Sequence, residues 1–276
     1  MGSFLAAYND AFNTSIFFLC VLTTIFLQIL SNLANDYGDT VNGADHAERQ
    51  GPSRAVQSGV ISVTAMRTAI AVFVVLSLLS GISLLYISFG WEWESLLFFF
   101  GLGVLSILAA ITYTAGRKPY GYAGLGDLSV IIFFGLVGVM GSSYLFIQQV
   151  DFMNVLPALS CGFFAVGVLN VNNIRDIDSD LQAGKYSIPV RIGREKSIIY
   201  HWFLLIGGLI APLIFVLIRF ESYYQLLFLV TTPLFIKNGI AVGSKNNPAE
   251  LDPYLKQLAL STLIFVILFG VGHLLA

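Results

Sequence analysis

Long apolar stretches separated by polar connections recur along the whole chain. A helix needs about 20 apolar residues to cross a bilayer. Apolar runs close to that length occur at 14–34, 67–89, 95–114, 127–148, 153–172, 198–219, 222–242 and 256–275. The pattern predicts an all-α fold, a polytopic membrane helix bundle with eight full spans. Residues 2–8 are also apolar but too short to cross, and form a short amino-terminal stub.

The composition supports a membrane protein and excludes several other classes. Of the 276 residues, 57% are hydrophobic and only 11% are charged, with a mean hydropathy of +0.81. No polar stretch is long enough to form a soluble domain, so we interpret residues 1–276 as one integral membrane domain. Cys20 and Cys161 lie inside apolar runs, so neither a disulfide framework nor a zinc site is indicated. The amino terminus lacks the basic region of a secretory signal peptide.

The lysine and arginine residues indicate which way the bundle faces. Eight crossings place the connections after residues 34, 114, 172 and 242 on one side of the membrane. Of the 14 lysines and arginines, all but Arg219 fall on that side. Cytoplasmic loops carry an excess of these residues. We therefore expect a multi-pass protein of the plasma or inner membrane, with these connections in the cytoplasm.

The first of these connections opens with a cluster of acids and amides. Asn32, Asp36 and Asp39 are spaced i, i+4 and i+7, so they share one face of a helix end, and Asn35 lies beside them. Ionised groups at the end of a membrane helix indicate a functional site unless they are simply hydrated. The plainer alternative is a solvated helix terminus.

A second cluster repeats this arrangement after a later span. Asn172, Asp176 and Asp180 are spaced i, i+4 and i+8, and Asn173 adjoins them. The repetition weakens the solvated-terminus alternative, because coincidence would have to act twice. On a continuous helix Asp178 lies roughly 200° from its two acidic neighbours and should point away from them.

The two clusters supply oxygen ligands only, which suit Mg²⁺ better than zinc or copper. The predicted metal ligands are Asp36, Asp39, Asp176, Asp180, Asn32 and Asn172. Mg²⁺ commonly shares its ligand shell with phosphates, and nearby cations can bind a diphosphate. The candidate cations are Arg49, Arg54, Arg117, Lys118, Arg175, Lys185, Arg191 and Arg194. For each of them, the alternative is a plain topology signal.

A diphosphate bound at the end of an apolar bundle indicates a substrate with a polar head and an apolar tail. A polyprenyl diphosphate fits this description. Loss of its diphosphate leaves an allylic carbocation, which aromatic faces can stabilise in a dry pocket. Tyr113, Tyr120 and Tyr122 lie in the appropriate connection, although tyrosines are also common in interfacial belts.

Four segments together resemble the UbiA superfamily of intramembrane aromatic prenyltransferases, and within it the enzymes that prenylate 1,4-dihydroxy-2-naphthoate. They are QILSNLANDYGDTVNGAD at 28–45, GPSRAVQSGVIS at 51–62, YTAGRKPYGYAGLGD at 113–127 and NNIRDIDSDLQAGKYSIPVRIG at 172–193. The resemblance implies a bundle of nine helices, dependence on Mg²⁺, and transfer of a polyprenyl chain to the naphthoate ring. Diphosphate and carbon dioxide are released, giving demethylmenaquinone in menaquinone biosynthesis.

The resemblance also implies roles for individual residues. The two motifs correspond to the family's Asp-rich motifs, and Lys118 and Arg117 fall in its diphosphate-binding connection. The implied catalytic residues are Asp36, Asp39, Asp176, Asp180 and Lys118. The implied substrate-binding residues are Asn32, Asn35, Arg49, Arg54, Tyr113, Arg117, Asn172, Asn173, Arg175, Lys185 and Arg191.

Three alternatives stay open at this stage. The chain starts about where the family's first helix ends, so either residues 2–8 are the end of a longer helix or eight spans suffice. The acceptor can be another one used in the superfamily, such as 4-hydroxybenzoate, a chlorophyllide or a haem precursor. A cation-coupled transporter also uses paired acids in the membrane, but its acids lie at the midplane and not at one face.

Overall fold

A computed structural model describes residues 1–43 and 55–276. Throughout this part of the chain the regular structure is helical. The helices are α1 Gly2–Tyr8, α2 Thr14–Val41, α3 Val63–Phe89, α4 Trp93–Thr112, α5 Gly126–Ile147, α6 Phe152–Arg175, α7 Ile177–Gln182, α8 Ile188–Ile218, α9 Tyr223–Ser244 and α10 Pro248–Leu274. Among these residues, 8 helices are long and apolar enough to cross a membrane. The predicted all-α bundle with eight spans and an amino-terminal stub is confirmed.

The helices extend further into the polar connections than the apolar runs indicated. Helix α2 continues to Val41, so the whole first motif is helical. The polar connection after residue 172 is largely helical, because α7 and the start of α8 occupy most of residues 173–197. The physical reason is that polar residues end an apolar run without breaking the backbone hydrogen bonds of a helix.

The chain forms two compact units. The smaller unit comprises Asn13–Gly126 and Asp178–Ser187, and the larger unit comprises Met1–Phe12, Asp127–Ile177 and Ile188–Ala276. In the smaller unit, α2, α3 and α4 pack against one another. The Asn13 side chain accepts from the Ser15 and Ile16 amides at the start of α2, which satisfies two of the amides that a helix start leaves unpaired.

The larger unit has an aromatic core around α6. The rings of Phe164 and Phe235 stack with centroids 4.2 Å apart, and Phe265 meets Phe164 edge-on at 5.1 Å. Small residues allow close helix packing: a Cβ at Gly135 of α5 would lie 2.8 Å from the Ala158 carbonyl oxygen of α6. Close approach through small residues is the usual way in which membrane helices associate.

The amino-terminal stub is a packed helix in the larger unit. Leu5 and Ala6 of α1 are buried. A Cβ on Gly270 of α10 would lie 2.1 Å from the Phe4 ring, so the two helices are in close contact at that position. Residues 2–8 therefore contribute apolar packing to α10.

Candidate active site

The first motif forms a gradient of burial along one face of α2. Asn32 is exposed, Asp36 is half-buried and Asp39 is only 4% exposed. All three lie within the continuous helix Thr14–Val41, as the spacing predicted. The motif therefore directs carboxylates from the accessible face of α2 into the interior of the smaller unit.

Asp36 is held by neutral donors. Its two carboxylate oxygens accept from the Ala55 amide at 3.1 Å and the Val56 amide at 3.4 Å. These amides come directly after residues 44–54, which contain the predicted diphosphate ligands Arg49 and Arg54 and lie outside the described residues. Neutral donors stabilise a carboxylate without cancelling its charge, so Asp36 still attracts a cation.

Asp39 belongs to a buried cluster, which we call the lysine cluster: Asp39, Tyr122, Asp180 and Lys185. The Tyr122 hydroxyl donates to Asp39 Oδ1 at 3.1 Å, and the Lys185 ammonium lies 3.2 Å from Asp180 Oδ1. Burial by itself lowers the pKa of Lys185, but the charges of Asp180 and Asp39 outweigh it, and the pKa is raised above the ordinary value of 10.5. The charges of Asp180 and Asp39 therefore favour the charged form of Lys185.

The connection after α4 is tied closely to the first motif. The Thr114 hydroxyl lies 3.1 Å from the Ala34 carbonyl oxygen and 3.2 Å from Asn35 Oδ1, and the Asn42 amide donates to the Thr114 carbonyl at 2.7 Å. A Cβ on Gly38 would lie 2.5 Å from the Thr114 hydroxyl oxygen and 2.6 Å from its backbone carbon. Only glycine allows the connection to approach α2 so closely.

Aromatic and basic side chains follow in the same connection. The Tyr113 and Tyr120 rings meet edge-on with centroids 5.5 Å apart. The Tyr186 amide donates to the Tyr122 carbonyl at 2.9 Å, which attaches the segment containing Lys185. Arg117 and Lys118 are exposed, so both cations are accessible to a soluble diphosphate head group.

The part of the second motif that lies in the larger unit, Asn172 and Asp176, is organised by an arginine. Arg175 donates through Nε and Nη2 to the two oxygens of Asp176, both at 2.7 Å. Its Nη1 donates to Asp252 at 2.5 Å, and Nη2 also donates to Asn172 at 2.8 Å. Both the arginine and Asp176 side chains are 3% exposed. Asp176 is therefore neutralised within the protein.

The expectation of one continuous helix through Asn172, Asp176 and Asp180 is wrong. Helix α6 ends at Arg175, Asp176 is its capping residue with φ −100° and ψ 14°, and α7 begins at Ile177. The two hydrogen bonds from Arg175 to the Asp176 carboxylate lie at this break. Asp178 is exposed whereas Asp176 and Asp180 are buried, so Asp178 points away as expected.

Comparisons with known proteins decide the family. The UbiA prenyltransferase family matches residues 1–274. This chain belongs to the UbiA prenyltransferase family. A 1,4-dihydroxy-2-naphthoate octaprenyltransferase of Haemophilus influenzae is 45% identical over 98% of this chain and 87% of its own. Its namesake from Escherichia coli K12 is 42% identical over 100% of this chain and 89% of its own.

A solved structure of a UbiA-family protein supports the fold. The apo structure of a UbiA homolog from Aeropyrum pernix K1 superposes with a TM-score of 0.70 over 99% of this chain and 96% of that one, at 18% sequence identity. At this identity the likeness shows the fold alone. The UbiA helix bundle is therefore the architecture of this chain, and the chain is a multi-pass membrane protein.

The structure places the remaining predicted residues in different surroundings. Arg191 is exposed, and Asn173 is 2% exposed with its Oδ1 unpaired in the described part of the chain. Within residues 1–43 and 55–276, no group of three or more His, Cys, Asp or Glu side chains is close enough to hold a metal ion. The predicted ligand set stays a prediction.

Sequence reasoning missed several residues that shape these sites. Asp252 pairs with Arg175, and the Ser187 hydroxyl lies 3.4 Å from Asp180 Oδ2. Asp127 is a buried acid whose carboxylate accepts from the Tyr200 hydroxyl at 2.8 Å. Its position in the GLGD segment that resembles the family was the only available signal for Asp127.

Proposed function

We propose that this protein transfers a polyprenyl group from polyprenyl diphosphate to 1,4-dihydroxy-2-naphthoate in menaquinone biosynthesis. The bond between the first prenyl carbon and the diphosphate oxygen breaks, and diphosphate leaves with the electron pair. A new carbon–carbon bond forms to the ring, and loss of the acceptor's carboxylate as carbon dioxide returns an electron pair to it. The product is the demethylmenaquinone ring in its reduced, hydroquinone form, because no oxidant takes part in the transfer.

The proposed identity of the acceptor rests on one observation. This chain is 45% identical, over 98% of its length, to a protein named for the naphthoate reaction. The Asp motifs alone do not identify the acceptor, because their proposed role is to bind only the metal and the diphosphate. Diphosphate chemistry is supported separately by the buried carboxylates of Asp39, Asp176 and Asp180 in helix ends of an apolar bundle.

The donor set of the first motif fits Mg²⁺. Asp36 and Asp39 offer carboxylate oxygens, and Asn32 and Asn35 offer amide oxygens, from neighbouring turns of α2. When bound, Mg²⁺ neutralises charge on the departing diphosphate. We propose that Asp36, Asp39 and Asp180, which all lie in the smaller unit, hold the metal.

The cations of the chain act on the diphosphate oxygens. Lys118 and Arg117 are exposed and long enough to bind the leaving group, and Lys185 keeps its positive charge in a buried position. A fixed charge in a dry site stabilises developing negative charge more than it does in water. Tyr113 and Tyr120 present aromatic rings to the carbocation that forms as diphosphate departs.

The membrane orientation follows from the distribution of basic residues. We propose that the connections containing both motifs face the cytoplasm, where a soluble naphthoate and diphosphate products are accessible. The membrane is the plasma or inner membrane of the cell. The excess of lysine and arginine in these connections supports this orientation.

Purified protein in lipid nanodiscs tests the proposal directly. Incubation with a polyprenyl diphosphate, 1,4-dihydroxy-2-naphthoate and Mg²⁺ should yield the prenylated ring, detected by mass spectrometry, and stoichiometric diphosphate. Replacing Mg²⁺ by EDTA should abolish both products. A matched reaction with 4-hydroxybenzoate should give at least about a hundredfold less product, the discrimination expected of a site built for one acceptor's polar groups.

Two outcomes would contradict the proposal. Comparable prenylation of 4-hydroxybenzoate would assign the chain to another acceptor. Absence of any prenylated product, together with cation-driven uptake of a solute into proteoliposomes, would support the transporter alternative.

A further inference from the structure

Four helices of the larger unit place polar side chains inside an otherwise apolar bundle. They are Asn170 of α6, His201 of α8, Asn238 of α9 and Gln257 of α10, and each lies within a candidate membrane span. The first three are 0% exposed, and Gln257 is half-buried. Polar residues in such positions are costly unless they are paired, and they indicate a functional role. None of the four belongs to the residues proposed for prenyl transfer.

His201 and Asn238 join α8 to α9. The Asn238 amide nitrogen uses both of its hydrogens for other partners, so its oxygen faces the histidine ring. His201 Nε2 therefore carries a proton and donates it to Asn238 Oδ1 at 2.9 Å. Every polar group of the Asn238 side chain has a partner, and the histidine supplies the one hydrogen bond that Asn238 accepts.

Asn238 and Gln257 hold the start of α10 against α9. The Asn238 amide donates to the Tyr254 carbonyl oxygen at 2.9 Å and to Gln257 Oε1 at 2.6 Å. Gln257 Nε2 donates to the Leu234 carbonyl oxygen of α9 at 3.0 Å. Asp252 lies two residues before Tyr254, in the same helical turn. These three hydrogen bonds therefore also determine where Asp252 lies.

Two further contacts close the four helices into a ring. The Asn170 amide of α6 donates to the Ser197 carbonyl oxygen of α8 at 3.1 Å. Asp252 of α10 accepts from Arg175 of α6, so the ion pair beside the second motif makes the last connection. Arg175 also donates to both oxygens of Asp176. A shift of α10 would therefore displace the arginine from the carboxylate that it bonds.

We infer that His201 and Asn238 are positioning residues for the second motif. They hold the start of α10, from which Asp252 orients Arg175 beside Asp176. The inference rests on the proposed function, because Asp176 is one of the buried carboxylates that support diphosphate chemistry. Residues that orient the ligands of a metal site change activity by about 10- to 100-fold when they are removed, which sets the scale expected here.

Prenyl transfer by the full chain in lipid nanodiscs tests the inference. His201→Phe removes the donor to Asn238 and should lower kcat by about tenfold or more. His201→Gln should keep kcat within about threefold of the wild type, because a glutamine amide nitrogen reaches the position of histidine Nε2 and preserves the hydrogen bond. His201→Asn should not restore kcat, because its shorter amide ends near the position of Nδ1.

Ser160→Ala is the matched control. Ser160 of α6 is also 0% exposed, and its hydroxyl donates to the Gly208 carbonyl oxygen of α8 at 2.6 Å, so it joins two of the same helices. It lies fifteen residues before Arg175, which corresponds to about 22 Å along a helix. Its loss should lower the melting temperature and leave kcat within about twofold of the wild type.

Gln257→Met is a milder change at a half-buried position. It removes the hydrogen bond to Leu234 and the acceptor of one Asn238 hydrogen. It should lower kcat by about threefold, the scale of one hydrogen bond. This variant keeps the test informative if His201→Phe folds poorly.

A second measurement does not depend on prenyl transfer. Asp252→Asn weakens the pair with Arg175 and should lower the melting temperature of the wild type. In His201→Phe the start of α10 is no longer held in place. The same change should then lower the melting temperature by at most about half as much, because residues that act together have non-additive effects.

Three results would overturn the inference. One is an equal loss of kcat in His201→Phe and Ser160→Ala, which would show that lost stability alone reduces activity. Another is a kcat in His201→Gln as low as in His201→Phe. The third is an equal effect of Asp252→Asn on the melting temperature of the wild type and of His201→Phe. Absence of prenyl transfer by the wild type would instead contradict the proposed function, and the melting temperatures would still decide whether His201 positions Asp252.

Discussion

The two Asp motifs have nearly the same spacing in the sequence but different electrostatic surroundings. In the first, Asp36 accepts from two backbone amides and Asp39 from the Tyr122 hydroxyl. In the second, Asp176 is bonded at both oxygens by Arg175. Asp36 of the first motif keeps its negative charge available for a cation, whereas Asp176 of the second motif is paired with Arg175 in the folded protein.

This difference indicates that the two motifs have different roles in the protein. A carboxylate held by neutral donors can take up a metal ion without breaking an ion pair. Asp176 must share its oxygens with Arg175, and a buried pair of this kind is costly to separate because each charge loses its partner. We therefore expect changes in the first motif to affect chemistry more than stability, and changes in the second to affect both.

The largest expected effect is on turnover in the first motif. Asp36→Ala should lower kcat by at least about a hundredfold, the scale expected when a preorganised electrostatic group is removed. Its melting temperature should stay near that of the wild type. The change removes the carboxylate from two neutral backbone amides and leaves no buried charge without a partner. Product formation by mass spectrometry and thermal unfolding of the same preparation give the two values.

Asp178→Asn serves as the control, since Asp178 is an exposed aspartate beside the second motif. It should keep most of the wild-type activity. Near wild-type turnover in Asp36→Ala would remove the first motif from the chemistry.

The next effect concerns the second motif. Arg175→Met should destabilise the protein by about 3–5 kcal/mol, because Asp176 is left buried without its charge partner. Thermal unfolding in nanodiscs measures the loss, and Lys196→Met, at an exposed lysine, is the control. Adding Asp176→Asn to Arg175→Met should restore part of the stability. No recovery in the double variant would show that Arg175 acts through packing and not through charge.

A smaller effect is expected at the contact between α2 and the connection after α4. Gly38→Ala should destabilise the protein by about 1–3 kcal/mol, the usual cost of overpacking, because the new Cβ overlaps the Thr114 backbone. Gly101→Ala is the control, since a Cβ there meets nothing within 4 Å. Equal melting temperatures for the two variants would contradict the close approach.

Much of the fold followed from the sequence, because apolar run length alone decides which segments can cross a membrane. The single face of Asn32, Asp36 and Asp39 followed too, since local spacing determines it within a continuous helix. The break at Asp176 could not be predicted in this way. The break coincides with hydrogen bonds from Arg175 to the adjacent carboxylate, and a periodic pattern of residues does not reveal such a contact.

Contacts between residues that are distant in the sequence could not be predicted either. Asp252, at the start of α10, is a further hydrogen-bond partner of Arg175. The charges of Asp180 and Asp39 together raise the pKa of Lys185. Each is one of many charged residues in polar connections, so composition gives no reason to pair them. Only the three-dimensional arrangement distinguishes Lys185, which is buried, from Lys118, which is exposed.

A modest effect is expected from the neutral donor to Asp39. Tyr122→Phe removes one hydrogen bond at 3.1 Å. Hydrogen bonds of this type contribute about 0.5–1.5 kcal/mol, so kcat/KM should fall by a factor of about 2 to 12. The effect should disappear when Asp39 is already replaced by Asn, since the two groups act together. Additive losses in the double variant would contradict that coupling.

The smallest expected effect is the response of Lys185 to pH. Its pKa is raised above 10.5 in the folded protein, so the stability that its charge contributes is fully present below the unfolded pKa and is lost only as pH rises through the folded pKa. The difference in melting temperature between wild type and Lys185→Met should therefore stay constant from about pH 6 to pH 9. Lys185→Arg, which keeps a charge at every pH used, should follow the wild type in parallel. A difference that narrows by about pH 9 would show that burial has lowered the lysine pKa, and that the carboxylates of Asp39 and Asp180 do not hold its proton.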